Sequence, residues 1–517
     1  MPQYNNQMDD EPLTDGSTPI AGVNNAMPPN AIEATLAELA NNRLAEPDGL
    51  NRPRPGVIQR VKTPLSFDSI HHVGVGKFLW NDAANWFLYD SRSKINYTLT
   101  GGPAWSHGDQ VYSALCDKVL YFTRGQYLWK FDPSTNTFTQ TITPAPFNAR
   151  TFYPLWASAR LIVVMDNNLY VSNILSPEVW NPALQSVTLD PVVSDEITGQ
   201  INWQRQTLAV FRNGSTWIIE TGPNLDVVDW EINRASATVG CCSHGTIVQC
   251  GVDVFFLSET GRGVYALSQV PTSDQMGVWQ PISAVIKRYI DRINWQYVAN
   301  ARATYWNDLY ILSVPIDDST FNNAIFAYSV TLGAWQGVWS FDFDLNGIGY
   351  GFRDSARDRT NSMATLLLYG SIDGFISEQS YPVDRQYYEV DMGGVPIPMA
   401  SKLRSRSFTF GENINRIQPN SALVQFLESQ DPVDVSVIAD RTIELTKRNT
   451  PTGQQGLTLP IPEFTFDLTE QGYYDLPMSL AHFGLCHEVQ LEFSGTGNWS
   501  LYQVKMTAYE AAPDTSI

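Results

Sequence analysis

Charge is scarce in this sequence, and positive charge is scarcer. Only 17% of the residues are Asp, Glu, Lys or Arg, against roughly a quarter in an average globular domain. The 33 basic residues face 53 acidic ones, a formal net charge of -20. Gripping nucleic acid through its phosphates needs clustered Lys and Arg, so the balance argues against that class. It leaves open a protein past which DNA must slide without sticking. Cysteine is also sparse: Cys116, Cys241, Cys242, Cys250 and Cys486 are odd in number and too scattered for a disulfide framework. They read as free thiols of a chain made in a reducing cytoplasm. No stretch reaches about 18 uninterrupted apolar residues, so no membrane span is expected. The start, "MPQYNNQMDDEPLTDGS", has neither the basic lead nor the apolar core of a signal peptide.

Aromatic residues are what the chain has in quantity. Fifteen Trp, 23 Tyr and 24 Phe among 517 residues favour pleated surfaces over helices. Several segments close on a large aromatic: "YLWKFDPSTNTF" on Phe138, "LYVSNILSPEVWNP" near Trp180, "TWIIETGPNLDVVDW" on Trp230, "VYALSQVPTSDQMGVW" on Trp279 and "IFAYSVTLGAW" on Trp335. These closing residues stand roughly 40–55 apart, a period typical of propellers and other repeat folds.

Between residues 61 and 390 the chain reads as successive hairpins: "WFLYDSRSKINYTL", "KVLYFTRGQYLWKF", "RLIVVMDNNLYVSN", "TLAVFRNGSTWIIE", "VFFLSETGRGVYAL", "LYILSVPIDDSTFNNAIFAYS" and "TLLLYGSIDGFISEQ". Each is a short apolar strand, a turn of Gly, Asn, Asp or Ser, and a second apolar strand. One hairpin cannot bury its own faces, but small antiparallel sheets stacked radially cover one another. An all-β fold is therefore expected: a β-propeller of six or seven blades, with each closing aromatic wedged between blades. A stack of unrelated β-sandwiches would give similar strands. One helical insertion is predicted, because "PISAVIKRYIDRIN" puts Ile286, Tyr289, Ile290 and Ile293 on one face.

The two ends differ from this middle. Residues 391–517 carry longer alternating strands, such as "VDVSVIADRTIEL", "LTLPIPEF" and "HEVQLEFSGTG", and read as a C-terminal β-sandwich. Residues 1–60 read as an N-terminal arm, mostly extended, with little core of its own. Pro, Asn, Asp and Gly dominate up to Asn30. Then Ile32, Leu36, Leu39, Ala40 and Leu44 fall near helical spacing, with Asn30 as cap and Pro47-Asp48-Gly49 as stop, so a short helix is expected. Such an arm is either a flexible tail or a device that orders against a neighbouring subunit, since a lone amphipathic helix needs a partner to bury it.

Candidate chemistry is thin. "CCSHGTIVQC" brings Cys241, Cys242, His244 and Cys250 close in sequence without any C-x-x-C pair. In a strand Cys241 points away from Cys242, and Cys250 lies roughly 20 Å from His244, so buried thiols are expected rather than zinc. "DFDLNG" (Asp342, Asp344, Asn346, Gly347) opens like a calcium loop, but its twelfth position is Arg353, not Glu. "GRG" at 261–263 lacks the Lys-Ser/Thr of a phosphate loop and reads as a hairpin turn. "SIDGF" (Ser371, Asp373, Gly374) only loosely resembles the aspartate box of sialidases. His71 and His72 at a strand start read as structural. No catalytic, cofactor or metal residue is assigned.

The order of segments carries more than any motif. "SNILSPEVWN", then "GSTWIIE", then "FLSETGRGVYAL", then "AVIKRYI" occur in the sequence found in the packaged-DNA stabilisation proteins of short-tailed bacteriophages, the tail hub or nozzle components, which this chain resembles over residues 55–510. The resemblance implies a non-enzymatic virion protein of the tail, assembled in the host cytoplasm. It implies a homo-oligomeric ring, expected to be a hexamer, below the portal and adaptor proteins. Such a ring carries fibres or spikes, retains the packaged genome, and passes DNA through its lumen without specific binding. An acidic wall suits that task, because it repels phosphate and keeps DNA mobile. The residues themselves also admit a carbohydrate-binding or glycan-cleaving propeller, since aromatic-rich sheets stack on sugars, and a cellular interaction scaffold.

Overall fold

Seven short stretches of this chain are apolar at every position rather than at alternate ones, and that decides how they pack. A strand with both faces apolar must be covered on both sides. In the computed structural model these stretches are the second strands of seven small antiparallel sheets, spanning residues 69–99, 113–141, 151–188, 197–236, 248–266, 302–339 and 345–379. The structure describes residues 12–510 except 20, 47, 63–68, 75, 83–84, 105–110, 125–126, 142–150, 191–194, 205, 223–225, 270–279, 353–364, 381–387, 411–415, 428–430, 450–472 and 482.

The sheets are the blades of one propeller. In blade 6, Leu309 and Ile311 of strand Leu309–Val314 join the core shared with blade 7, while Tyr310, Leu312 and Val314 join the core shared with blade 5. Blade 2 repeats this: Leu120 and Phe122 face blade 1, and Tyr121 faces blade 3. Leu208 and Val210 of blade 4 face blade 3, whereas Ala209 and Phe211 face blade 5. The ring closes where Leu366 and Leu368 of blade 7 pack with Phe78 and Trp80 of blade 1. Seven blades make seven such interfaces. The seventh blade takes its outer strand from the other end of the propeller sequence, Val57–Lys62 pairing antiparallel with Phe375–Gln379.

The closing aromatics have the wedge role expected of them. Phe138 of blade 2 packs toward blade 1, Trp180 of blade 3 toward blade 2, Trp230 of blade 4 toward blade 3, and Trp335 of blade 6 toward blade 5. Each thus covers the preceding blade. Trp279 lies outside the described residues. The expected insertion precedes blade 6 as a 3-10 turn, Ile282–Ile286, running into the helix Lys287–Ile290. Ile286, Tyr289, Ile290 and Ile293 are all buried there.

The C-terminal strands form two sheets face to face. One holds Ile417–Leu427, Tyr473–Ser479 and Ser500–Glu510; the other holds Ala400–Arg404, Val433–Ala439, Thr442–Asn449 and Val489–Thr496. Phe426 and Phe493 meet edge-on across the core at 5.9 Å. The segment "LTLPIPEF" lies outside the described residues.

The N-terminal segment departs from expectation. The helix predicted around 30–46 is absent: after a 3-10 turn, Pro29–Ala31, come the short strands Leu36–Ala37, Leu39–Asn41 and Arg43–Ala45. Asn42 adopts a left-handed backbone, φ 53°, which no right-handed helix accommodates. Pairing with two sheets outweighs the helical spacing of the apolar residues. Leu39–Asn41 runs between blade 6 and the sandwich, bonding to Ala334–Trp339 on one side and Ala400–Arg404 on the other, so that nine strands form one continuous sheet. Leu13–Ser17 pairs with Ser500–Glu510. Far from being an arm with little core, this segment buries Val23, Ile32, Ala37, Ala40, Leu44 and Leu50. It is a strap.

Buried charge fixes the strap at both ends of its course. Glu38, 8% exposed, meets Arg288 of the inserted helix at 3.3 Å and accepts from Nε2 of Gln490 in the sandwich at 2.8 Å. Arg54, fully buried, pairs with Glu389 at 2.6 Å, donates to Asn42 Oδ1 at 3.0 Å and stacks over Phe341 at 4.2 Å. Arg43 stacks on Trp499 at 3.8 Å and donates to the Trp499 carbonyl at 3.1 Å. Gly337, at φ 95°, lets blade 6 approach the strap, because a Cβ there would lie 2.2 Å from the Ala40 carbonyl.

Candidate functional site

The first strands of the blades stand nearest the propeller axis, each touching those of neighbouring blades around it. They line a half-open pocket of about 250 Å³, bordered by Ser69 and His71 of blade 1, Tyr112 and Ser113 of blade 2, His244 before blade 5, and Arg302 of blade 6. These six residues span 234 positions of sequence, and only the closure of the ring brings them together.

His71 is held by two hydroxyls. Ser69 donates its proton to Asn81 Oδ1, so it accepts from His71 Nε2 at 2.9 Å; Nδ1 then accepts from Ser113 at 2.8 Å. The ring packs edge-on to Phe122 at 5.2 Å. Burial pushes its pKa down to about 3, so the imidazole is neutral near pH 7. His244 is also lowered to about 3, by burial first and by the nearby Arg302 charge second. Its ring meets Tyr112 at 4.7 Å and Tyr153 at 4.6 Å. Burial raises both phenols, which stay protonated. Arg302 is therefore the charged member of the group. Its Nη1 donates to Ala301 O at 2.7 Å, Ala299 O at 3.1 Å and Ser243 Oγ at 3.4 Å. Its stem lies over Gly245, where a Cβ would come within 2.6 Å of Cδ.

Other residues singled out from sequence are dispersed. Cys241 belongs to the core between blades 4 and 5, Cys250 to that between blades 5 and 6, and Cys242 packs beside the latter. All five cysteines are free thiols. Burial raises the thiol pKa of Cys116 and Cys241 to about 11. Among the described residues no three His, Cys, Asp or Glu are grouped to hold a metal. Gly261, Arg262 and Gly263 form the hairpin turn of blade 5, where Arg262 stacks on Trp295 at 4.7 Å. "SIDGF" is the hairpin turn of blade 7, with Ser371 Oγ accepting from the Phe375 amide at 2.9 Å. Asp344 lies close enough to Asp373 for burial and that charge to raise its pKa. Arg353 lies outside the described residues. His72 packs on Phe78 at 5.6 Å.

Sequence reading missed Arg302, Tyr112 and Tyr153. Arg302 sits in a strand, Tyr112 just before one, and Tyr153 at a bulge with φ 54°, so no local sequence signal marks them. Only His71 and His244 had drawn notice, each for a different reason.

No protein-family model matches the chain, and no curated protein matches it. Among solved structures it is similar to U3-55K, at 9% identity and TM-score 0.41 over 63% of this chain and 100% of that one. It is similar to the WD40 β-propeller domain of Doa1, at 8% identity and TM-score 0.39 over 63% of this chain and 97% of that one. It is also similar to the Myceliophteria thermophila Cps50 (Swd1) β-propeller domain, at 11% identity and TM-score 0.39 over 62% of this chain and 98% of that one. Among the described residues no helix is long and apolar enough to cross a membrane. The chain is an all-β protein, a β-propeller with a C-terminal β-sandwich.

Proposed function

We propose that this protein is a structural subunit of a short-tailed phage tail, a nozzle ring that prolongs the DNA channel and holds back the packaged genome. The observation that carries this reading is the placement of the resembling segments. "SNILSPEVWN" forms the outer hairpin of blade 3, "GSTWIIE" the third strand of blade 4, "FLSETGRGVYAL" the hairpin of blade 5, and "AVIKRYI" the insertion before blade 6. Four resembling segments thus occupy consecutive places in one architecture. The strap supports the reading as well. A ring under pressure from packed DNA needs subunits that do not flex, and a sheet continuous from propeller to sandwich resists hinge motion between them. Closed rings also need broad side surfaces for heterologous contacts. The net charge of -20 favours a wall that DNA slides past.

The test is a particle lacking this protein. Its heads should fill and then lose genome, while the purified subunit should bind duplex DNA weakly at low salt. Normal genome retention without the protein, or tight and steeply salt-dependent binding by the lone subunit, overturns the reading.

A further inference from the structure

We infer that the axial cavity is a binding site for a small free oxyanion, of phosphate or carboxylate class, held on the Nε–Nη2 edge of Arg302. The guanidinium presents five N–H donors in a fixed fork. Nη1 is tied to the wall by the Ala299 and Ala301 carbonyls and the Ser243 hydroxyl. Among the described residues, Nε and Nη2 meet no acceptor, and no carboxylate pairs with this side chain. That free edge is the one that takes two oxygens of a carboxylate or phosphate side by side.

The surroundings leave the charge uncompensated. His71 and His244 are neutral near pH 7, and Tyr112 and Tyr153 are un-ionised phenols. Glu196, an exposed carboxylate before blade 4, acts on Tyr153 more weakly than Arg302 does. A positive site persists in the middle of a chain whose net charge is -20. Gly245 is part of the design, since any side chain there would displace the arginine stem. Size sets the ligand class. At about 250 Å³ the half-open pocket falls below the roughly 300–1,000 Å³ of pockets for drug-sized molecules, which suits a small oxyanion.

The experiment uses the full chain and inorganic phosphate, with chloride adjusted to hold ionic strength constant. Phosphate should raise the melting temperature of the wild type, and calorimetry should give a saturable single site. Arg302→Lys, which keeps the charge but loses the fork, should bind at least tenfold more weakly, and Arg302→Gln should show no phosphate-dependent shift. An equal shift in Arg302→Gln, or no difference between phosphate and chloride in the wild type, overturns the proposal. Should Arg302→Gln fail to fold, the Arg302 Nε resonance of the wild type, assigned by its loss in Arg302→Lys, provides the check. It should move on phosphate addition, and an unmoved resonance refutes the site. Acetate that displaces phosphate supports a carboxylate source, and inert acetate supports phosphate itself. Displacement by a short DNA duplex at equal phosphate concentration would overturn the assignment to a small free ion.

Discussion

Blades 1 to 4 and blades 6 and 7 have the same internal design but different outer edges. In blade 4 the outer strand Glu231–Ser236 is exposed along most of its length, and in blade 1 Ile95–Leu99 is half-exposed or exposed throughout. In blade 6 the outer strand Ala334–Trp339 is buried at every position after the first. The strap and sandwich account for this. Asn42 donates its amide to the Val338 carbonyl at 2.8 Å, Gln336 accepts from the Ala45 amide at 2.8 Å, and Trp339 donates to the Arg43 carbonyl at 3.0 Å. An open sheet edge is a liability unless covered or paired, and here the chain's own N-terminal segment pairs with it. The core tells the same story: blades 5 and 6 share one apolar cluster with the sandwich, whereas blades 1 to 4 are joined by separate pairwise clusters. Blade packing alone therefore suffices for one half of the ring, and the other half is also held from outside.

The largest test removes the strap. Deleting residues 1–50 takes away strands from both sandwich sheets and uncovers blade 6, so the protein should lose cooperative unfolding of its C-terminal part. Urea denaturation followed by tryptophan fluorescence reads this, since Trp335 and Trp499 are fully buried near the junction. A full cooperative transition at the wild-type midpoint would return the segment to the status of a passive arm. Single residues sharpen the comparison next. Trp335→Ala, in the shared core, should cost about 3–5 kcal/mol in chemical denaturation, and Trp180→Ala, between blades 2 and 3, less.

A third test concerns charge. Arg54→Ala leaves Glu389 buried without its cation and should cost about 3–5 kcal/mol. The exposed pair Lys287–Asp291, also bonded at 2.6 Å, should contribute at most about 1 kcal/mol. A further effect is one of pH and belongs to the other half of the ring. His71 has a folded pKa of about 3, below its unfolded value of 6.5, so unfolding takes up a proton between those pH values. Stability from this residue is fully present above pH 6.5 and falls as pH drops toward 3, by about 2 kcal/mol at pH 5. His71→Gln should lose less stability than the wild type between pH 7 and pH 5; an equal loss would mean that His71 is not buried neutral.

Much of the propeller was legible in the sequence, because its signals are local. Strands such as "LIVV" and "VFFL" are apolar on both faces, and turns such as "MDNN" and "SETGRG" punctuate them, so seven hairpins could be counted before any packing was known. The wedge aromatics were legible for the same reason: a Trp or Phe that closes a repeat has one large face to bury, and the neighbouring blade offers an apolar surface. The insertion helix kept its periodicity because one face alone packs on the core. The strap was misread where the signal was ambiguous. Ile32, Leu36, Leu39, Ala40 and Leu44 satisfy a helical period, but Leu36 and Leu39 are only half-buried while Ala37 and Glu38, off that period, are buried. Which pattern wins depends on sheet edges contributed by residues some 300–500 positions later. The axial site lies at the far end of this scale. Composition and hydrophobic period determined that this chain stacks small sheets in a ring. Only tertiary closure decided that Arg302 would stand beside two neutral histidines with one edge of its guanidinium unmatched, because burial and distance, not spacing in the chain, set both their charge states and their company.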